Sequence, residues 1–471
     1  MAYKLLIDGT LRDGAASLDV IDPATGAVFA TCARADAAQL DEAVAAARRA
    51  FPGWAALPHA ERRGYLERVA DAMEARQDEF CQLLTREQGK PLPQAQFEIG
   101  GSIAALRYFG AIALEPEVLR DTAEERVVEH RMPLGVIGAI TPWNFPVILL
   151  MLKVAPALST GNTVVAKPAP TTPLTTALFG EVCAGILPPG VLNVIVDAND
   201  LGAALSAHPD VAKISFTGST ATGKRVMATA AGSLKRLTLE LGGNDAAIIL
   251  DDADVKAVAR PVFDAAMINA GQVCLAVKRV YAPHHMVDDL CAEFARLGRE
   301  AVVDDGRNQG AQIGPVQNRA QYERVLDLIE DAKAQGEIVV GGEPLDREGY
   351  FIPPTVVRGL ADDARLVREE QFGPVFPVLG YETLDEVVAR ANDSEFGLGG
   401  TIWTADPERG AEVAARIESG TVWVNKHLDM PFDTPFGGAK QSGIGREQGL
   451  DGMREFTQAK IVNMSKLALA T

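Results

Sequence analysis

From residue 134 the chain settles into one rhythm. Short apolar runs, LGVIGAI (134–140), NTVVAK (162–167), LNVIV (192–196), AKISFTG (212–218) and RLTLELGG (236–243), are separated by stretches of helical character. Apolar strands of about four to six residues alternating with helices form βαβ units, which bury a parallel sheet between layers of helices. Sheets of this kind bind ligands at the carboxyl ends of their strands. A second set begins near 244: DAAIIL, RVYAPH, EIVVGG, PVLGYE, GTIWTA and GTVWVN, interleaved with helices such as one near 319–335. The pattern predicts an α/β chain with two sheet-centred domains, as 471 residues exceed what one ordinary core organises.

The flanking segments read differently. LLIDG and VIDPATGAVFAT hold a Pro-Ala-Thr-Gly turn between strand-like stretches, a hairpin signature. Asp36 can cap a helix whose Leu40, Val44, Ala47 and Phe51 share one face, and a further amphipathic stretch covers about 60–85. Residues 114–133 and the tail EFTQAKIVNMSKLAL look like strands that belong to neither sheet. The most apolar run, FPVILLMLKVAPAL (145–158), is interrupted by Lys153 and falls short of the ~20 residues of a membrane span, so it reads as a buried helix. A net charge of −18 argues against nucleic acid or an anionic membrane as partner. Five scattered cysteines without CxxC suit a reducing cytoplasm, the N-terminus is too quickly polar for a secretory signal, and the six histidines suggest no metal site.

Four stretches can carry chemistry. TPWNFP (141–146) fixes an asparagine between two prolines just beyond a strand. FTGSTATGKRV (216–226) runs from a strand into a helix, where free N–H groups suit a diphosphate, although as a bare pattern an ordinary strand–helix turn reads as well. LELGG (239–243) sets Glu240 among leucines; edge-exposed it is inert, and semi-buried it is raised towards neutrality and becomes a general base. NAGQVC (269–274) supplies a thiol, and a cysteine after valine, taken alone, is more often core.

Together these stretches resemble the aldehyde dehydrogenase superfamily, the NAD(P)-dependent, non-phosphorylating kind. TPWNFP, VVAKPA, FTGST, LELGGND, NAGQVC, EEQFGPV (369–375) and PFGGAKQSGIGRE (435–447) occur in the family's order along nearly the whole chain. The resemblance implies a Rossmann-like cofactor-binding domain (1–113 and 134–243), a second α/β catalytic domain (244–441) and a small β oligomerisation arm (114–133 and 455–471). It implies that Cys274 attacks the aldehyde carbon, that Asn144 and the Cys274 N–H hold the oxyanion, and that Glu240 activates the water that hydrolyses the thioester. For NAD it implies Ile140, Thr141, Pro142 and Trp143 as pocket lining, Lys167 on the adenosine ribose, Gly202 beside the adenine and Gly218 with Ser219 at the diphosphate. Leu241, Glu370 and Phe372 fall at the nicotinamide end. The aldehyde tunnel falls on Phe145, Leu149, Leu152, Val273, Leu275, His427, Met430 and Phe436.

Two positions depart from the family. Many NAD-preferring members have a glutamate three residues after the lysine; here it is Pro170, which leaves NADP open beside the expected NAD. The acidic residue some members carry in a C-terminal YTE is Gln458, which leaves Glu240 as the only clear base. The largely apolar tunnel predicts a medium-sized aliphatic or aromatic aldehyde, with Lys426 and His427 as groups able to meet an anionic tail. The alternatives are a coenzyme-A-acylating or semialdehyde-acid dehydrogenase, or a catalytically silent binding protein on the same fold. The resemblance implies a homodimer or homotetramer paired through the strand-like arm, and the cysteine usage predicts a cytoplasmic protein.

Overall fold

Five parallel strands form the centre of the first sheet in a computed structural model of the chain, which describes residues 3–467. They lie in the order Leu192–Val194, Thr163–Lys167, Val136–Ile140, Val211–Thr217, Arg236–Glu240. This is the third–second–first–fourth–fifth order of a doubly wound nucleotide-binding sheet, and the direction of winding reverses between Val136–Ile140 and Val211–Thr217. Val136–Ile140 and Thr163–Lys167 are buried at every position, which is why they read as unbroken apolar runs rather than alternating ones. Leu5–Ile7 adds antiparallel at one edge and Gly443–Ile444 at the other. The apolar run after TPWNFP forms the helix Ile148–Ser159, buried from Leu150 onward. Among the described residues, no helix is long and apolar enough to cross a membrane. Met453 and Phe456 pack into the same core, so the chain returns to the first domain after completing the second.

The second sheet has the order Glu337–Val340, Thr355–Arg358, Val375–Tyr381, Val277–Pro283, Asp245–Ile249, Gly399–Trp403, Thr421–Val424. It is parallel except for Glu337–Val340, an antiparallel edge strand. The helix expected near 319–335 runs Arg319–Gln335. The strand Thr355–Arg358 is an addition to the sequence reading, which was blind to it because Pro353 and Pro354 punctuate its start.

At the N-terminus, Ala16–Asp22 and Ala27–Arg34 pair as the expected hairpin. Asp36 caps the helix Ala37–Ala56 by accepting from the Gln39 N–H, and Leu40, Val44 and Ala47 are buried while Phe51 is half-buried. A separate antiparallel sheet joins Glu117–Asp121, Glu125–Pro133 and Thr457–Ser465. Its residues Val118, Leu119, Ile461, Val462 and Met464 are exposed. Residues 468–471 of the expected arm lie outside the described residues.

Candidate active site

Cys274 sits on the loop between the helix Val255–Met267 and the strand Val277–Pro283. Its approach is a run of three left-handed residues, Asn269 (φ 52°), Ala270 (φ 54°) and Gly271 (φ 70°). Such conformations cost about 1–3 kcal/mol at each non-glycine position and persist only where surrounding contacts impose them. Here the Asn269 amide donates to the Asn144 carbonyl (3.0 Å), the Gln272 amide donates to the Asn269 carbonyl (2.8 Å), and Gln272 Oε1 accepts from the Gln317 N–H (2.8 Å). Gly271 has no substitute, since a Cβ there would collide with the Gly373 carbonyl. The Cys274 N–H donates to no acceptor among the described residues. Burial pushes the thiol up to about 12, opposed by the positive charge of Lys278.

Asn144, buried, stands against this loop. Its side-chain amide donates to the Gln272 carbonyl (2.9 Å), which uses one of its two N–H groups. Its own carbonyl accepts from Lys90 Nζ (2.8 Å), and Lys90 also pairs with Glu98 Oε2 (2.6 Å) in a fully buried ion pair. Glu98 Oε1 accepts from the Val147 N–H (2.9 Å), so one lysine–glutamate pair braces both sides of the TPWNFP turn.

Glu240 ends the strand Arg236–Glu240, buried, with neither carboxylate oxygen hydrogen-bonded to protein. Burial raises it well above the ordinary carboxylate range, and the negative charge of Glu447 raises it further. Glu447 is itself buried and paired with Lys153, whose Nζ also donates to Thr217 Oγ1 (2.7 Å). Gln458 lies exposed on the antiparallel arm, and the second buried carboxylate near Glu240, that of Glu447, is committed to Lys153. After Glu240 the chain passes close to the thiol loop, where a Cβ on Gly243 would stand 2.5 Å from the Cys274 carbonyl.

The expected cofactor residues converge on the first sheet's switch point. Ile140 pairs in register with Lys167, and the Thr141 N–H donates to the Lys167 carbonyl (3.1 Å). Lys167 Nζ lies 2.7 Å from Asp197 Oδ1, and Gly202 begins a helix alongside the lysine. Ser219 caps the helix Thr220–Ala230, directly after Gly218. Pro142 is half-buried, and Trp143 meets Phe372 edge to face at 5.3 Å. The Leu241 N–H donates to the Ser442 carbonyl (2.8 Å). A cavity of about 550 Å³ lies between the start of that helix and Glu370, lined by Ser219, Lys224, Arg324, Glu370 and Phe396. A larger one of about 780 Å³ lies at the far ends of Val277–Pro283 and Val375–Tyr381, where Arg358 pairs with both Asp288 and Glu337, away from the thiol.

Around Cys274 an apolar cluster gathers Val273, Leu275, Phe145, Met430 and Phe436, as expected, with Leu398, Trp423, Leu428 and Ile268 in addition. Leu152 belongs to the first domain's core cluster, and Leu149, half-buried, packs against that cluster, as does Phe432. His427 lies edge to face with Trp423 (4.8 Å), with Nε2 2.5 Å from the Leu275 carbonyl. Burial lowers it to about 4, so it is neutral near pH 7.

A sequence profile of the aldehyde dehydrogenase family matches residues 11–462. The chain belongs to that family. Betaine aldehyde dehydrogenase of Rhizobium leguminosarum bv. trifolii is 40% identical over 466 residues, covering 97% of this chain and 94% of the relative. An aldehyde dehydrogenase of Bacillus cereus, solved as its NAD+ complex, superposes with a TM-score of 0.97 at 34% identity, covering 99% of this chain and 97% of that one. Betaine aldehyde dehydrogenase of Staphylococcus aureus, also in complex with NAD+, gives 0.95 at 32% identity, covering 98% and 94%. As a member of the aldehyde dehydrogenase family the protein is an NAD(P)-dependent oxidoreductase.

The residues present fit such a cofactor. A helix start capped by Ser219 offers free N–H groups to a diphosphate, and the buried Thr141 hydroxyl has no protein partner. Around the site this aldehyde dehydrogenase also carries buried charges outside the quoted motifs, Lys90, Glu98, Asp197 and Lys278, and it pairs Lys153 with Glu447, the last residue of PFGGAKQSGIGRE. One of them had a visible signal, because Lys278 is a charge within the otherwise apolar VKRVYAP of a central strand.

Proposed function

We propose that the protein oxidises a neutral, medium-sized aliphatic or aromatic aldehyde to its carboxylic acid with NAD+. One observation carries this reading: an activatable thiol, an amide donor and an unpartnered buried carboxylate meet at the seam of the two domains. The Cys274 sulfur adds to the aldehyde carbon, and the oxygen that becomes negative is held by the second N–H of Asn144 and by the Cys274 N–H. A bound nicotinamide supplies the acceptor for the hydride. The thioester left on Cys274 is hydrolysed by a water that Glu240 deprotonates, its raised affinity for protons making it a competent base near neutrality. Lys167, Ser219 and Glu370 orient the cofactor.

Charge at the tunnel supports a neutral substrate. His427 is uncharged, and Lys426 is exposed and paired with Asp429 (2.5 Å). A cationic substrate such as betaine aldehyde is disfavoured because Lys90 Nζ already lies 3.6 Å over the Phe145 ring. Glu240 favours hydrolysis over transfer to coenzyme A. The exposed apolar side chains of the antiparallel arm support a homodimer or homotetramer. The test is formation of reduced nicotinamide across a panel of neutral, acidic and trimethylammonium aldehydes, with NAD+ and NADP+ in turn and with and without coenzyme A. Preference for an acidic or cationic aldehyde, or a requirement for coenzyme A, would overturn the corresponding part.

A further inference from the structure

Lys278 is buried in the middle of the second sheet, where an unpaired ammonium would be costly. Its Nζ donates to the Val273 carbonyl (2.8 Å) and the Cys274 carbonyl (2.6 Å) and lies 3.6 Å from Glu370 Oε1. Two of the ammonium's three donors go to consecutive carbonyls of the nucleophile loop, and its charge is matched, at ion-pair rather than hydrogen-bond distance, by the carboxylate at the expected nicotinamide end.

The Val273 carbonyl and the Cys274 N–H belong to the same planar trans peptide unit and point in opposite directions. Gripping the carbonyl from one side therefore fixes the direction of the N–H on the other. That N–H is the donor left without a protein acceptor. We propose that Lys278 is a positioning residue of the reaction: it aims the Cys274 N–H at the developing oxyanion and holds a positive charge against the thiol. This rests on Cys274 being the nucleophile.

The charges facing the thiol oppose one another. Lys278 favours the thiolate, whereas Glu370, Asp245 and Glu240 disfavour it. His427, behind Leu275, is neutral. Asp245 donates nothing to the loop but is buried beside Lys278, its Oδ1 accepting from the Gly399 N–H (3.1 Å). Among the described residues, Lys278 is the cation whose charge bears most on the thiol, opposed by three carboxylates.

The test is the pH dependence of Cys274 alkylation by iodoacetamide in the full-length protein without cofactor, followed by peptide mass spectrometry. Lys278→Met should alkylate at least about tenfold more slowly at each pH below the thiol's titration, a displacement of one pH unit or more. Lys278→Arg should restore most of the rate. Glu370→Gln, which keeps the cation and removes an opposing charge, should displace the profile the other way, and it keeps the proposal testable where Lys278→Met fails to fold. Profiles for Lys278→Met or Glu370→Gln that overlay the unaltered protein would overturn the proposal. Failure of the nucleophile reading itself would show separately, as aldehyde oxidation surviving in Cys274→Ala.

Discussion

The Asp197 carboxylate lies 2.7 Å from the Lys167 ammonium, and both side chains are buried. Asp197 is held in turn by the Leu201 N–H, which donates to Oδ2 (2.8 Å). The glutamate that clamps the ribose in many NAD-preferring relatives is Pro170 here, and Asp197 supplies a carboxylate to the same lysine from a different strand end. A 2′-phosphate would meet a lysine whose charge is already neutralised, with an anion fixed beside it. Asp197→Asn should therefore raise affinity for NADP+ relative to NAD+ by roughly tenfold or more, since the freed ammonium gains the phosphate as partner. Direct titration of both cofactors by tryptophan fluorescence checks this; an unchanged ratio would contradict it.

How much of this was legible beforehand follows a physical division. Strands buried on both faces read as continuous apolar runs, so the two parallel sheets could be seen directly. Cys274, Asn144 and Glu240 could be singled out only through the ordered set of motifs that resembles the aldehyde dehydrogenases, because each stretch alone fits core or an ordinary turn as well. Asp197, Lys90 and Glu98 were not legible, because they bear on the site through Lys167, Asn144 and Val147 on other elements; Glu447 ends a quoted motif, but its partner Lys153 is met only after the chain has crossed the second domain and returned. Thr355–Arg358 was hidden by the two prolines before it.

Asn144→Ala should lower kcat by about 10²–10³-fold, the usual loss for one oxyanion donor, with cofactor affinity nearly unchanged. Steady-state kinetics alongside cofactor titration separates the two effects.

Glu240→Gln should leave the first turnover of reduced nicotinamide intact and slow the steady state, so that a stoichiometric burst appears in stopped-flow absorbance. In the unaltered protein, hydrolysis should rise with pH as Glu240 ionises. Because its pKa is raised by burial and by Glu447, that rise should centre well above the ordinary carboxylate value. The variant should lose this pH step.

Lys90 and Glu98 form a fully buried pair, and breaking such a pair on one side costs about 3–5 kcal/mol. Lys90→Met and Glu98→Gln should each lower the free energy of unfolding by an amount in that range, seen as a lower denaturant midpoint at unchanged slope. Because Lys90 also holds the Asn144 carbonyl, the surviving folded enzyme should lose kcat as well. Urea titration and kinetics on the same samples test both.

The central claim is that acyl transfer passes through Cys274. Glu240→Gln enzyme mixed with an aldehyde and NAD+ should acquire one acyl group per chain, found by mass spectrometry on the peptide containing Cys274 and absent from Cys274→Ala. Reduced nicotinamide formed without that adduct, or an adduct on any other residue, would contradict it.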